Sequence, residues 1–375
     1  MTNEIEIGPY VANDHLSLLS LWKSFFNEFS ARALEERWSW QFNSNPYVKE
    51  RSPVILLARQ ANNVVGHISA IPLPVILNGD RTYSLFASGL VTDEEHRWCA
   101  MRLFSALSKT PPLAAYVMMK SVEKMFSHFG AEPIPLSFDR FTFRIRYDGE
   151  ICRELRKRLR RPMTRLLTPR MAGYIYPIWN MRKKLERKKV PAIRPDPRIR
   201  ELKSFNREYD DLWKRVRHRF RCTVDKDATY MNWRYFLCPT LTPYCYGSYD
   251  NDGDLAGVIV GFVRAERDWT GRKCVKYGEI GELIHIEPSS SQVESLILAA
   301  MNRLDRERVD AITATGLSVE YHGVLQQIGF DREVNNRFSM SVNLSGKKHS
   351  RPLVLERESW YYSAADGDTL YATAI

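Results

Sequence analysis

Trp40-Gln41-Phe42-Asn43-Ser44-Asn45-Pro46 returns later in the chain as Trp233-Arg234-Tyr235-Phe236-Leu237-Cys238-Pro239. An aromatic residue stands two places after the tryptophan in both copies, and a proline six places after it. Two further pairs follow in order. Gly66 and Gly257 lie at nearly the same distance beyond the two tryptophans, and Phe129-Gly130 and Ile328-Gly329-Phe330 each end a predicted helix just before the last strands. Matches in one order at a near-constant offset indicate an internal repeat.

Working outward from the two copies, the predicted elements repeat as well. Glu4 to Ala12 alternates as an edge strand, and His15 to Phe29 places Leu16, Leu19, Trp22, Phe26 and Phe29 at helical spacing behind Asp14, a candidate N-cap. A second helix covers Leu34 to Phe42. Pro53 to Arg59, Val64 to Leu77 and Tyr83 to Thr92 read as strands separated by Asn62-Asn63 and Asn78-Gly79-Asp80, both favourable hairpin turns. A helix from Ala100, a strand Ala114 to Met119, a helix Val122 to Phe129 and a paired-strand region Ile134 to Arg146 complete the first half. In the second half, helices at Lys203 to Val216 and Thr229 to Phe236 precede a hairpin across Asp252-Gly253. A long strand Lys276 to Glu287, a helix Gln292 to Arg306, a strand Ala311 to Thr315 and closing segments at Glu320 to Ile328 and Arg337 to Leu344 follow. The order is mixed α/β in both halves.

Between the halves lies a basic stretch, Ile151 to Val190, with fourteen Lys/Arg and two acids in a chain of net charge +11. Removing it leaves 41 basic and 42 acidic residues, so the charge belongs to the connector. Ile151, Leu155, Leu159 and Met163 recur every four residues with arginines between them, the pattern of a basic amphipathic helix bent at Pro162. The expected division is 1–150, a connector 151–198, and 199–375 with a tail.

Composition narrows the class. The hydrophobic content suffices for two cores. Six cysteines are scattered without a CxxC pair or a Cys/His cluster at zinc spacing, so reduced thiols and no metal are expected. The polar start MTNEIEIGPYVAND lacks the form of a signal peptide, and no apolar run reaches the roughly 20 residues of a membrane span. A cytoplasmic protein, at most peripheral to a membrane, is the expectation.

Gly89-Leu90-Val91-Thr92-Asp93-Glu94-Glu95-His96-Arg97-Trp98-Cys99-Ala100-Met101-Arg102 runs from a strand through a polar loop into a helix. With the duplicated element order, this stretch resembles the GNAT acyltransferase superfamily over residues 1–147 and 199–345. The resemblance implies an α/β fold of two GNAT-like mixed-sheet domains in tandem, joined by the basic helical connector. In that superfamily an Arg/Gln-x-x-Gly-x-Gly/Ala loop at a helix start cradles the pyrophosphate of coenzyme A through backbone N–H groups and the helix dipole. Arg97 matches the first position, whereas Ala100 and Arg102 replace the small residues, so the loop is degenerate. The implied cofactor-binding residues are Leu90, Val91, Thr92, Arg97, Trp98, Cys99, Ala100, Met101 and Arg102, with acetyl-CoA or another acyl-CoA as co-substrate. The tyrosine that often reprotonates the leaving thiolate is replaced by Phe126 and by Leu325, with Tyr321 one turn earlier.

For a catalytic base the long strand offers Glu282 and His285, with Glu287 beyond them; the competing reading is surface or edge-strand ion pairing. Trp38, Trp40 and Trp233 read as core anchors and His67 as a satisfied strand residue. Asp250-Asn251-Asp252-Gly253-Asp254 reads as a hairpin turn that lacks the final Glu of a calcium loop. The tail Trp360 to Asp368 is expected to pack on the second half with a solvated acidic turn. The implied function is N-acyl transfer to an amine on a small molecule, glycan or lipid-linked intermediate. Two alternatives stand beside it: a Fem-like transferase using aminoacyl-tRNA, and a non-catalytic scaffold of the same fold. For 151–190 the partners are an interdomain contact, an anionic membrane surface or tRNA.

Overall fold

The computed structural model describes residues 4–26, 29–110, 114–119, 127–134, 139–147, 188–192, 196–267, 273–334, 338–343, 360–363 and 366. The expected connector helix, and most of the helix expected over Val122 to Phe129, lie outside these residues. Two mixed sheets dominate the rest.

The first sheet runs in the order β1 (Ile5–Pro9), β2 (Val54–Gln60), β3 (Asn63–Leu77), β4 (Asp80–Thr92), β5 (Ala114–Met119), β15 (Phe338–Asn343) and β6 (Ala131–Ile134). The second runs β14 (Asp331–Glu333), β7 (Arg140–Arg144), β13 (Ala311–Thr315), β12 (Lys273–His285), β11 (Leu255–Arg267), β10 (Pro243–Tyr249) and β8 (Ile199–Leu202). The expected hairpins form. Asn78 and Gly79 both take positive φ (55° and 87°), the geometry of a two-residue turn that matches strand twist.

The paired-strand region expected over Ile134 to Arg146 does not pair with itself. β6 joins the first sheet and β7 the second, where it lies antiparallel to both β13 and β14. Reciprocally β15, from late in the chain, enters the first sheet between β5 and β6. Each sheet therefore holds a strand from the other end of the sequence. A short strand β9 (Cys222–Val224) pairs with the end of β3, and β16 (Trp360–Tyr361) runs parallel to β9.

Helices α1 (His15–Phe25), α2 (Ala31–Trp38) and α3 (Cys99–Ser108) cover the first sheet; α4 (Arg207–Val216), α5 (Ala228–Met231), α6 (Ser291–Arg306) and α7 (His322–Ile328) belong to the second. Side-chain caps explain several starts: the Ser30 and Ser290 hydroxyls accept from Ala33 N–H and Gln292 N–H, and the Asn206 amide oxygen accepts from Glu208 N–H. Asp14 does not cap α1; it holds Val11 N–H and the Arg59 guanidinium instead. Gly66 lets α3 lie close on β3, since a Cβ there would sit 2.9 Å from Cys99 Sγ.

The repeated sequence marks the joint. Trp40 and Trp233 lie on π-helical turns, Ser39–Asn43 and Asn232–Phe236, that directly extend α2 and α5. Their rings stack 4.7 Å apart at 11°, and each indole N–H donates to the other residue's carbonyl, at 2.9 and 3.1 Å. Around this pair one hydrophobic core runs through both halves, from Trp22 and Phe86 to Trp213, Val260, Tyr361 and Tyr362.

Candidate functional site

β4 and β5 form parallel pairs at Leu85↔Ala114 and Phe86↔Ala115; then they part. β5 keeps β15 on its other side from Ala114 to Met119, while β4 continues to Thr92 along β3. The first sheet thus opens at Phe86. Just past the opening β4 carries a bulge in which Gly89 and Leu90 oppose the single residue Ile68, and Gly89 adopts φ +70°, a conformation that favours glycine.

His67 fixes that bulge. Its Nδ1 lies 2.7 Å from the Gly89 carbonyl, which only accepts, and 3.3 Å from the Trp22 indole N–H, which only donates; Nδ1 can serve one of the two, and the shorter contact assigns it the ring proton. Burial, reinforced by the nearby Arg37 charge, pushes its pKa down to about 4, so the ring is neutral. Nε2 has no hydrogen-bond partner among the described residues, so the strand histidine is only half satisfied. Next to it Ser69 Oγ donates to the Ser88 carbonyl and Gln41 Nε2 to Ser88 Oγ, both at 2.6 Å. Gln41, the second residue of the repeated motif, thereby touches β4 immediately before the bulge.

The loop beyond β4 is organised by Asp93, whose carboxylate accepts from His96 N–H at 2.8 Å and from His96 Nδ1 at 2.7 Å. The first N–H groups of α3 are engaged in the turn: Cys99 donates to the His96 carbonyl and Ala100 to the Arg97 carbonyl. Arg97 faces solvent in an ion pair with Glu94 at 3.1 Å. Arg102 donates to the Ile5 carbonyl and lies over the Trp98 ring. Leu90, Trp98 and Met101 are exposed, whereas Val91 and Cys99 are buried. The residues expected to bind a cofactor therefore gather where β4 turns into α3, beside the opening, with Arg97 as the cation that projects outward.

The second sheet repeats the device. β12 pairs with β13 from Tyr277 to Ile280, bulges at Gly281 and runs on to His285. The first side chain past that bulge is Glu282, and it is fully buried. It receives Lys226 Nζ at 2.8 Å and the Tyr361 hydroxyl. Lys226, also fully buried, donates at 2.6 Å to both oxygens of Asp366 and at 3.2 Å to Ser363 Oγ. Asp366 further accepts from the Tyr230 hydroxyl and the Ser363 N–H. Two carboxylates thus share one ammonium. Burial, offset in part by Lys226 and reinforced by the Asp366 charge, pushes Glu282 up to about 7. Burial alone would lower Lys226, but the two carboxylates more than reverse it. The Tyr209 and Tyr235 hydroxyls are buried and without a partner among the described residues.

The cluster corrects the expectation of a solvated acidic turn in the tail: Asp366 is buried because Lys226 supplies its counter-charge. Nor is Glu282 a surface ion pair.

His285 lies on the opposite face of β12, as residues three apart on a strand must. Its Nδ1 accepts from Glu287 N–H at 2.9 Å and its Nε2 contacts Gln292 Oε1 at 3.3 Å, so both ring nitrogens are engaged. Its own N–H donates to the Tyr321 hydroxyl, which burial pushes up to about 12. The two base candidates from the sequence are not brought together. What the sequence concealed is Lys226, which sits in a charged run, Asp225-Lys226-Asp227, indistinguishable from a solvated loop.

A pH dependence follows. A carboxyl whose folded pKa is raised stabilises the fold below its unfolded value, and that contribution is lost as pH rises from about 4.5 to about 7. Glu282→Gln, which leaves Lys226 balanced by Asp366 alone, should gain about 3 kcal/mol on wild type between pH 5 and pH 8. His67 and His285, both depressed by burial, act equally in the two proteins and cancel. Urea titrations at the two pH values check this; an offset independent of pH would refute it.

Among the described residues no His/Cys/Asp/Glu cluster is arranged to hold a metal, and no helix is long and apolar enough to cross a membrane. No family model and no curated protein matches the sequence. Solved structures do. The chain superposes on Saccharomyces cerevisiae N-myristoyltransferase with bound myristoyl-CoA at TM-score 0.60 and 14% identity, over 92% of this chain and 79% of that one. A probable N-acyltransferase of unknown function from Enterococcus faecalis matches at TM-score 0.54 and 10% identity, over 90% and 72%. A GCN5-related N-acetyltransferase from Anabaena variabilis matches at 0.53 and 12%, over 90% and 72%. At these identities the likeness establishes the fold: two mixed sheets of the GNAT and N-myristoyltransferase kind.

Proposed function

We propose that the chain is an N-acyltransferase that takes an acyl group from a coenzyme A thioester and passes it to an amine. The observation that carries this reading is the opening between β4 and β5 at Phe86, followed at once by the Gly89–Leu90 bulge. A parted pair of parallel strands leaves backbone donors and acceptors along β4 that an extended amide-bearing ligand can satisfy as an added strand. The pantetheine arm of coenzyme A has that character, and Arg97, exposed on the loop after Thr92, is the residue proposed to meet its phosphates. Held this way, the thioester carbonyl lies beside the bulge, where backbone N–H groups can stabilise the oxyanion formed on attack. The amine nitrogen bonds to the carbonyl carbon, the C–S bond breaks, the thiolate leaves, and the proton given up by the nitrogen ends on the sulfur of coenzyme A. Support also comes from the fold, since the similar proteins above are described as acyltransferases.

The proposal includes the duplication, with halves 1–150 and 199–375 about the connector: the first sheet holds the donor and the second supports the acceptor side. Glu282 and His285, both on the second sheet, take no part in donor binding. The aminoacyl-tRNA reading depends on the basic stretch, almost all of it outside the described residues, and no described contact favours it.

Titration calorimetry with coenzyme A and acetyl-CoA tests the reading. Binding is expected, and Arg97→Ala should weaken it by about tenfold through loss of a charge-assisted phosphate contact. Absence of binding to wild type would overturn the proposal.

A further inference from the structure

Resting on that reading, we propose that the tail residue Tyr362 sets the length of the acyl group, making the donor a short-chain thioester. Phe86 is the β4 residue at which the described β4–β5 pairing ends. Its ring lies parallel to that of Tyr362, at 3° and 6.1 Å between centroids, and both side chains are buried. Tyr362 of the tail thus lies beside the β4 residue from which the first sheet opens.

Tyr362 is not free to withdraw, because residues on both sides of it are tied down. Trp360 and Tyr361 run parallel to Cys222 and Thr223 on β9, and the Tyr361 hydroxyl is held by Glu282. On the other side, Ser363 and Asp366 are held by Lys226, with Tyr230 behind them. On the opposite face of the sheet the described residues are packed. There Leu85 packs with Leu103, Phe104 and Leu107 of α3, all buried. An acyl chain leaving a thioester at the bulge meets a filled core on one face and the anchored Phe86–Tyr362 stack on the other. This geometry favours a short acyl chain over a long one.

The stack also places the limit where substitution can move it in both directions. Each methylene removed from water is worth about fourfold in affinity when room exists for it, and overpacking a filled site costs comparably. The test is calorimetry on the full chain with coenzyme A, acetyl-CoA, butyryl-CoA and octanoyl-CoA, for wild type, Tyr362→Ala and Tyr362→Trp. Wild type should bind acetyl-CoA at least about tenfold more tightly than octanoyl-CoA. Tyr362→Ala should move that ratio by tenfold or more toward octanoyl-CoA, and Tyr362→Trp should lower butyryl-CoA relative to acetyl-CoA. Coenzyme A itself should bind all three proteins alike. Tyr362→Leu, which keeps the core filled, carries the test if the alanine variant does not fold. Equal binding of octanoyl-CoA and acetyl-CoA to wild type, or ratios unmoved by all the Tyr362 variants while coenzyme A still binds, would overturn the inference alone. Failure of coenzyme A to bind wild type would instead remove the acyl-CoA reading beneath it.

Discussion

Lys226→Met is expected to cost about 3–5 kcal/mol of folding stability at neutral pH, among the largest effects of any single substitution in this chain. The side chain is fully buried between Glu282 and Asp366, and its removal leaves two carboxylates in an apolar core without a cation. Methionine preserves most of the volume, so packing contributes little and the loss is electrostatic. Two features separate this from a general core defect. The loss should shrink as pH falls below about 5, because protonated carboxyls need no counter-charge. Adding Glu282→Gln and Asp366→Asn should recover much of it, since the paired groups then disappear together. Equilibrium unfolding in urea measures all of these. A loss below 1 kcal/mol, or one indifferent to pH, would mean that the cluster does not hold the tail.

The second large effect concerns the repeated tryptophans. Trp40→Ala and Trp233→Ala should each cost about 3–5 kcal/mol, the usual range for deleting a buried indole. Each loses an aromatic partner at 4.7 Å and one of two reciprocal hydrogen bonds, and each takes the indole donor away from the other's carbonyl. Because either substitution breaks the same contact, the double variant should cost about 1–3 kcal/mol less than the sum of the singles. Additive losses would show that the two residues act in separate cores, contrary to the shared one seen around them. Trp40→Phe keeps a ring but not the donor, and should fall between wild type and alanine.

How much of this was legible depended on whether the information was local. Asn78-Gly79 announced its turn because both residues tolerate positive φ, and the strands on either side followed from their apolar runs. The likeness of the Trp40 and Trp233 stretches was visible, but likeness does not say that two stretches touch. The strand exchange was not visible at all: Arg140–Arg144 and Phe338–Asn343 have the same composition whichever sheet they enter, and only the partner decides. That Glu282 and His285 face opposite sides was available from strand periodicity. Lys226 was not, since a buried ion cluster needs three segments brought together over long sequence separations and leaves no spacing. Asp366 misled for the same reason, because an acid in a polar tail is solvated unless a distant cation meets it. Gly89, quoted for its place in the loop stretch, had its value in a bulge that depends on the register of β3.

The exchange of β7 and β15 has a bearing on synthesis. β15 inserts between β5 and β6, so the first sheet waits, after β5 leaves the ribosome, for a strand encoded about 220 residues later. At ~5–20 residues per second that delay is on the order of 10–40 s. Through this interval the edges of β5 and β6 that β15 will cover stand unpaired, the kind of template on which chains aggregate. Nascent chains are therefore expected to depend on chaperones until the last strand has emerged, and a fragment ending before Phe338 should remain aggregation-prone however completely its own helices form.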